Sequence, residues 1–312
     1  MKRTLVSLLA AITLLSTAHV QTRDEFNGGF SLQWSWKLPD NDPFCTLFDN
    51  AVSFGSGSMT IQTRDGGMFG GFNSHKNVPT LRVASALPEE WYIETVFRTD
   101  WSTVPFVNYT QAGILITLGA KDYFQVLITR NATDQTDTVN GSTNSEQNDS
   151  FAWGERVTNL WTPDDQWMGV RIEHVNDTGS QGPYIVLKFR HSGTGGWIEY
   201  DGFNGGRYYA DSPFYQHIMN MLAQGARIGV YTDNACGCGL QQPFEFDYFE
   251  TNLPVLPVGD VNGDGVVDDA DLLAVLFAFG SSGDCLDEDV NLDGTVDDAD
   301  LLAVLFNFGA GS

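Results

Sequence analysis

Between residues 24 and 252, apolar and polar side chains alternate with period two in many short pieces. WYIETVFRT (91–99), DYFQVLITR (122–130), WMGVRIEHV (167–175), YIVLKFR (184–190) and ARIGVYT (226–232) each place their apolar residues on one face of an extended chain. AGILITLG (112–119) is apolar without interruption, which predicts a strand buried on both faces. Clusters of Gly, Asn, Asp and Pro separate these pieces, and only 212–224 carries a helical period. Short strands with regular turn punctuation predict a mainly β fold, an antiparallel β-sandwich of jelly-roll type. The stretch 131–150, NATDQTDTVNGSTNSEQNDS, has almost no apolar residue and is predicted to be an exposed loop. It holds several Asn-x-Ser/Thr sequons.

The pattern changes after a Pro-containing stretch, 253–258, which reads as a linker. DVNGDGVVDDADLLAVLFAFG (260–280) returns as DVNLDGTVDDADLLAVLFNFG (289–309), with three differences in 21 positions and an offset of 29. Such a repeat is one structural unit used twice. Each copy opens on twelve positions with calcium-loop spacing. In the first, Asp260, Asn262, Asp264, Asp268 and Asp271 occupy positions 1, 3, 5, 9 and 12, and Val266 offers its carbonyl at 7. In the second, the same places fall to Asp289, Asn291, Asp293, Asp297 and Asp300, with Thr295 at 7. Gly265 and Gly294 stand at position 6, where such a loop must turn sharply. Hard oxygen donors without a His or thiolate pattern suit Ca2+, one ion per loop. Segments 272–279 and 301–308 are of helix length and nearly all apolar, so they must bury against each other, the sandwich or a partner.

Charge sharpens this division. The chain has 312 residues, 40 acids against 16 Lys and Arg, and a net charge of −24, which excludes nucleic-acid binding as a default function. Residues 259–312 hold 13 of the acids and no Lys, Arg, Trp or Tyr. At the other end, Lys2 and Arg3 precede an apolar run from Leu5 to Leu15, with the small residues Ser16 and Ala18 behind it. This predicts a signal peptide over 1–18 and a secreted, extracellular protein; the run is too short to cross a membrane. Export permits disulfides among Cys45, Cys236, Cys238 and Cys285. A bond between Cys236 and Cys238 would be strained, so distant partners are expected for both. The five His (19, 75, 174, 191 and 217) are scattered, and no Ser-His-Asp or metal-His constellation is visible. Trp91, Trp167 and Trp197 fall in predicted strands and read as core; Trp101, Trp153 and Trp161 lie near loops and are candidates to stack on sugar rings.

Two loop-then-helix halves, with Asp at position 12 and no helix entering either loop, resemble a type I dockerin over about 259–310. That resemblance implies two bound Ca2+ and a cohesin-like protein partner. It also implies that loop positions 10 and 11, here Asp269 and Ala270, then Asp298 and Ala299, help select the partner. The chain departs from well-known dockerins in having no Lys or Arg on the two helices. DEFNGGFSLQWSWKLPDNDPF (24–44), WYIETVF, QAGILITLGAKDYFQVLI, RIGVYTDN and FEFDYFE are similar to concanavalin A-like jelly rolls, in particular the module appended to family 43 β-xylosidases. This implies a carbohydrate-related, secreted module and does not by itself imply catalysis; the leading expectation is a non-catalytic domain that binds a polysaccharide or oligosaccharide. The domains expected are therefore 1–18 signal peptide, 24–252 sandwich, 253–258 linker and 259–312 dockerin-like calcium-binding domain. One alternative stands beside this. Glu245, Asp247 and Glu250 spell E-x-D-x-x-E, which resembles the catalytic signature of family 16 glucanases and implies a retaining hydrolase. The plainer expectation is a last strand with Phe244, Phe246 and Tyr248 on one face and the acids on the other. Asp24 and Asp247 could also share a structural Ca2+ where the first and last strands meet. A third reading is a surface protein-interaction module.

Overall fold

The computed structural model describes residues 21–38, 44–48, 51–68, 74–84, 86–103, 110–130, 139–147, 150–161, 167–190, 195–199, 206–234, 239, 241–283 and 285–311. In chain order the strands are β1 (Thr22–Asp24), β2 (Trp34–Ser35), β3 (Lys37–Leu38), β4 (Phe44–Cys45), β5 (Val52–Gly55), β6 (Ser58–Gln62), β7 (Thr80–Arg82), β8 (Trp91–Arg98) and β9 (Thr110–Gly119). They continue as β10 (Asp122–Arg130), β11 (Val139–Gln147), β12 (Ser150–Trp161), β13 (Trp167–Val175), β14 (Tyr184–Arg190), β15 (Ile198–Glu199), β16 (Arg207–Tyr209), β17 (Arg227–Asn234) and β18 (Pro243–Thr251). Three helices follow the expected places: α1 (Pro213–Ala223), α2 (Asp269–Ala278) and α3 (Asp298–Phe306).

Two antiparallel sheets form the sandwich. One runs β15-β14-β13-β8-β18-β6-β5, with β1 beside β18 and β16 beside β14; the other runs β12-β11-β10-β9-β17-β7-β2. The alternation seen in sequence becomes the core between them: Phe97, Ile114, Ile116, Phe124, Val230 and Phe246 all point inward and are buried. β9 is buried on both faces, as its unbroken apolar run predicts. Its Leu115 joins Leu127, Tyr123 and Tyr231 on the far side of the second sheet, where Leu38, Met68 and Val78 cover them. Helix α1 starts at Ser212, whose hydroxyl accepts the Tyr215 N–H, and continues with Pro213 in the first turn. Its buried face of Phe214, Ile218, Met221 and Leu222 joins the main core.

Two sequence expectations change here. Residues 139–147 form β11, paired to β10 along nine register positions and to β12 on its other side. The polar stretch is thus partly strand; residues 131–138, 148 and 149 lie outside the described residues. A ladder needs backbone groups rather than apolar side chains, and the β11 side chains Thr143 and Ser145 are buried without being hydrophobic. The stretch 253–258 is not a free tether. Leu253 is buried, the Ala84 N–H donates to the Pro254 carbonyl, and the Leu256 N–H donates to the Arg82 carbonyl.

The repeat builds its own small core from matched positions: Val261 and Val290, Val267 and Val296, Val275 and Val304. The chain leaving each helix is clasped by the other copy's loop. Gly280 N–H donates to the Val296 carbonyl at 2.8 Å, and Gly309 N–H to the Val267 carbonyl at 2.8 Å. Gly311, at φ +82°, passes so close to the Gly265 carbonyl that a Cβ there would collide with it. Contact with the sandwich runs through the loop side. Cys45 and Cys285 form a disulfide across 240 residues, Lys37 pairs with Asp287 at 2.6 Å, and Gly259 N–H donates to Gln33 Oε1 at 3.0 Å. With Cys45 and Cys285 joined, Cys236 and Cys238 have only each other left within the chain, against the expectation of distant partners; both lie outside the described residues.

Replacing Cys45 and Cys285 together by Ser should lower stability by up to about 5 kcal/mol, the scale for opening so long a covalent loop. Thermal unfolding and hydrogen exchange measure this; an unchanged Tm with unchanged protection of 260–310 would refute a tethering role for the bond.

Candidate functional site

The duplicated loops hold the same geometry twice. Asp260 accepts the N–H groups of Gly263 (2.7 Å), Asp264 (3.2 Å) and Gly265 (2.8 Å). Asp289 accepts those of Asp293 (3.1 Å) and Gly294 (2.8 Å). Asp271 and Asp300, both fully buried, close the loops as the N3 members of capping boxes whose N-caps are Asp268 and Asp297. Asp271 also accepts the Val261 and Asn262 N–H groups, and Asp300 that of Asn291. Asn262 and Asn291 donate to Asp264 and Asp293 at 3.0 and 2.9 Å, and those acids take the N–H of Val266 and Thr295.

Position 6 is glycine because the chain is left-handed there, at φ +98° for Gly265 and +93° for Gly294. Burial raises the Asp260 and Asp289 carboxyls; backbone N–H bonds oppose this, while the neighbouring acids, Asp271 and Asp264 in one loop and Asp300 and Asp293 in the other, push the same way as burial. Among the described residues, no three His, Cys, Asp or Glu side chains gather closely enough to hold a metal by themselves. The donor set at each loop is all oxygen and includes an Asn and a backbone carbonyl, the chemistry that suits Ca2+. Asp269, Ala270, Asp298 and Ala299 are exposed at the helix starts.

The E-x-D-x-x-E segment lies in β18. A β-bulge between Phe246 and Tyr248 breaks its alternation at Asp247. The core face therefore reads Phe244, Phe246, Phe249, and Tyr248 turns outward, where its hydroxyl donates to Glu94 at 2.8 Å and Arg23 lies 3.6 Å over its ring. This corrects the expected Phe244, Phe246, Tyr248 face. Glu245 is held by Arg98 at 2.7 Å and Ser58 at 3.0 Å. Glu250 is held by Tyr92 at 2.7 Å and Arg23 at 2.9 Å. Burial alone would raise Glu250, but these hydrogen bonds and the Arg23 charge win and its carboxyl is lowered. A general acid needs the opposite shift. The outer face of this sheet continues as an ionic lattice, with Arg171 bound to Glu94 and Glu173, and Lys188 to Glu173. Asp24 accepts three N–H donors, from Phe26, Ser31 and Trp34, and fixes the 26–34 turn.

Sugar-stacking candidates fare unevenly. Trp101 is fully buried, edge-on to Phe244, because the short 3-10 turn Trp101–Thr103 folds it under the sheet rather than into solvent. The side chains of Trp153 and Trp161 lie outside the described residues. Trp91 is core as expected, stacked on His174; Trp167 instead lies beneath Arg98 at 4.5 Å, and Trp197 packs on Gly169.

Sequence reasoning missed a buried acid on the outer face of the second sheet. Asp233 follows Tyr231 by two residues on β17, so both point the same way, and the Tyr231 hydroxyl donates to it at 2.7 Å. Burial, opposed by hydrogen bonds from Tyr231 and Gln111, pushes its carboxyl up to about 7. Burial also lowers the His75 imidazole, to about 4. The signal available was RIGVYTDN itself, where an acid continues the alternating pattern of a buried strand.

With the fold in view, the chain belongs to the β-sandwich architecture of jelly-roll proteins. It is similar in structure to the GH43 protein BlXynB from Bacillus licheniformis, at 12% identity and TM-score 0.50 over 73% of this chain and 38% of that one. It is also similar to GH43B of a Bacteroides ovatus xyloglucan PUL, at 15% identity and TM-score 0.50 over 74% and 39%. The chain thus spans under two-fifths of either protein, and the likeness is one of fold. No family model and no curated protein matches the sequence.

Asp233 gives a pH test. Between about pH 4 and 7 the folded chain keeps a proton that the unfolded chain releases, so this group's contribution to stability falls as pH rises through that window and is fully lost above it. Asp233→Asn keeps a partner for Tyr231 and cannot ionise. It should match wild type near pH 4 and be the more stable protein at pH 8 by a few kcal/mol, read as a higher Tm. Parallel Tm–pH profiles for the two proteins would show that Asp233 ionises normally.

Proposed function

We propose that the chain is an exported, carbohydrate-associated module without catalytic activity, joined to a calcium-binding, dockerin-like tail that docks a cohesin-like protein. One observation carries the docking reading. The helices leave matched apolar side chains in solvent: Leu273 and Leu302, Leu276 and Leu305, Phe279 and Phe308, and above all Phe277 and Phe306, at 87% and 83% exposure. Folded soluble domains do not keep such a duplicated apolar surface without something to bury it. The small valine core uses only one stripe of each helix, so internal packing does not account for the rest. Asp269, Ala270, Asp298 and Ala299 border this surface at the first turns and would contribute to partner choice.

Calcium enters as the counter-charge. Asp260, Asn262, Asp264, Asp268, Asp271 and the Val266 carbonyl would hold one ion. Asp289, Asn291, Asp293, Asp297, Asp300 and the Thr295 carbonyl would hold the second. The ions would neutralise acids that the repeat, lacking Lys and Arg, cannot pair itself. Isothermal titration should find two Ca2+ per chain, with Asp260→Ala and Asp289→Ala each removing one, and chelation should strip hydrogen-exchange protection from 260–310. Stoichiometry below two in the wild type, or protection indifferent to chelation, would defeat the calcium reading. With calcium present, Phe277→Asp with Phe306→Asp should abolish capture of a cohesin-type domain and leave stability within about 1 kcal/mol of wild type, as surface changes do.

For the sandwich, polysaccharide or oligosaccharide binding is favoured over hydrolysis. The support is the sandwich fold together with the state of the carboxylates: Glu245 and Glu250 are each locked to an arginine, and Glu250 is shifted away from acid duty. Incubation with a polysaccharide panel should give retention without new reducing ends. Reducing ends lost in Glu245→Ala would make the chain a retaining glucanase instead. Neither retention nor release would leave protein interaction as the sandwich's role.

A further inference from the structure

Where the tail meets the sandwich, a cleft of about 730 Å3 opens between β7, β17 and the first loop of the repeat. Lys37, Arg82 and Arg227 line it, three of only 16 basic residues in a chain with 40 acids. Arg82 and Arg227 stand directly opposite each other on neighbouring antiparallel strands. Like charges in that register destabilise a sheet unless something neutralises them. Two carboxylates also line the cleft, Asp264 and Asp287, and Asp287 pairs with two of the three cations, at 2.6 Å from Lys37 and 3.6 Å from Arg82.

Arg227 is the telling member. It is 3% exposed, and its Nε is buried with no hydrogen-bond partner among the described residues. Burial and the nearby Arg82 charge, opposed by Asp287, push its guanidinium down to about 9. A buried guanidinium beside a second arginine is costly to keep, and an oxyanion in the cleft would offset that charge. The opposite wall is shaped for the same cations. Gly263, at φ +78°, lets the Arg82 guanidinium lie against the loop backbone, and any Cβ there would strike it.

We propose that this seam is a binding site for the oxyanion group of a small molecule, a carboxylate or a sulfate. Arg82 and Arg227 offer planar forks that match either group, and Lys37 adds a point charge. The cleft exceeds a bare ion and has the size of a small-molecule site, so the oxyanion is one end of a larger ligand such as an acidic monosaccharide. Asp287 competes with the ligand for the same cations. Because the walls come from both the sandwich and the repeat, occupancy would also fasten the tail.

The test uses the full exported chain with calcium, titrated calorimetrically with D-glucuronate, with sodium sulfate and with neutral glucose at matched chloride. Saturable binding of glucuronate, sulfate or both, with none of glucose, is expected; which of them binds names the oxyanion. Arg227→Gln should weaken binding at least about tenfold, the scale of a charge-assisted hydrogen bond, and Asp287→Asn should tighten it several-fold. If Arg227→Gln fails to fold by circular dichroism, the more exposed Lys37→Gln and Arg82→Gln replace it, each expected to weaken binding. Absence of saturable binding by either oxyanion, binding of glucose equal to that of glucuronate, or binding unchanged in the folded basic-residue variants would overturn the site.

Discussion

The constraint on which the structure turns is that the C-terminal repeat carries acids and no bases of its own. Its carboxylates have three available partners: backbone N–H groups, cations brought by other parts of the chain, and ions from solution. The structure uses the first inside each loop, where Asp260, Asp271, Asp289 and Asp300 are surrounded by amides. It uses the second at the seam, where Lys37 and Arg82 reach Asp287 from the sandwich. Neither removes the like-charge repulsion among positions 1, 5 and 12 of each loop, which is the physical reason to expect the third. The disulfide and the ion pairs meet at the same seam, so covalent and electrostatic ties act on one contact.

Alternation along the strands was readable because a sandwich buries one face of most strands, and 112–119 was readable because β9 is covered on both. The repeat was readable because its two copies share nearly every residue. What escaped were features set by backbone or tertiary context. β11 pairs through its main chain while its side chains stay polar, so hydropathy marked it as loop. The β18 bulge displaces Tyr248 from the core face, and no composition rule marks a bulge made of Phe, Asp and Tyr. Trp101 looked like a loop residue and lies wholly in the core. Pairing of Cys45 with Cys285 depends on where the tail docks, which local spacing does not encode.

Buried and half-buried charge is handled differently on the two sheets. On the first, Glu94, Glu173, Glu245 and Glu250 each have a cation beside them, and Glu250 is held ionised by Arg23 and Tyr92. On the second, Asp233 has Tyr231 and Gln111 but, among the described residues, no cation that shifts it, so burial dominates and it is kept neutral toward pH 7. A carboxyl group therefore serves as an ionised lattice point on one face and as a largely protonated hydrogen-bonding group on the other. Sequence patterns such as E-x-D-x-x-E register only residue type and cannot tell these states apart.

One of the three positions at which the repeats differ bears on how the tail is mounted. Loop position 4 is left-handed in both copies, at φ +78° for Gly263 and +59° for Leu292. The first copy needs glycine because Arg82 occupies the space; the second carries leucine, which packs against the main core of the sandwich. Two copies under one structural constraint have thus diverged where the sandwich touches them unequally. The exposed apolar residues on the helices, by contrast, are identical in kind at every matched position. The two faces of the tail therefore differ: the loops are unequal where they meet the sandwich, and the exposed helix residues repeat. The loops are fitted to this chain, while the exposed apolar side chains of the helices stay alike in the two copies.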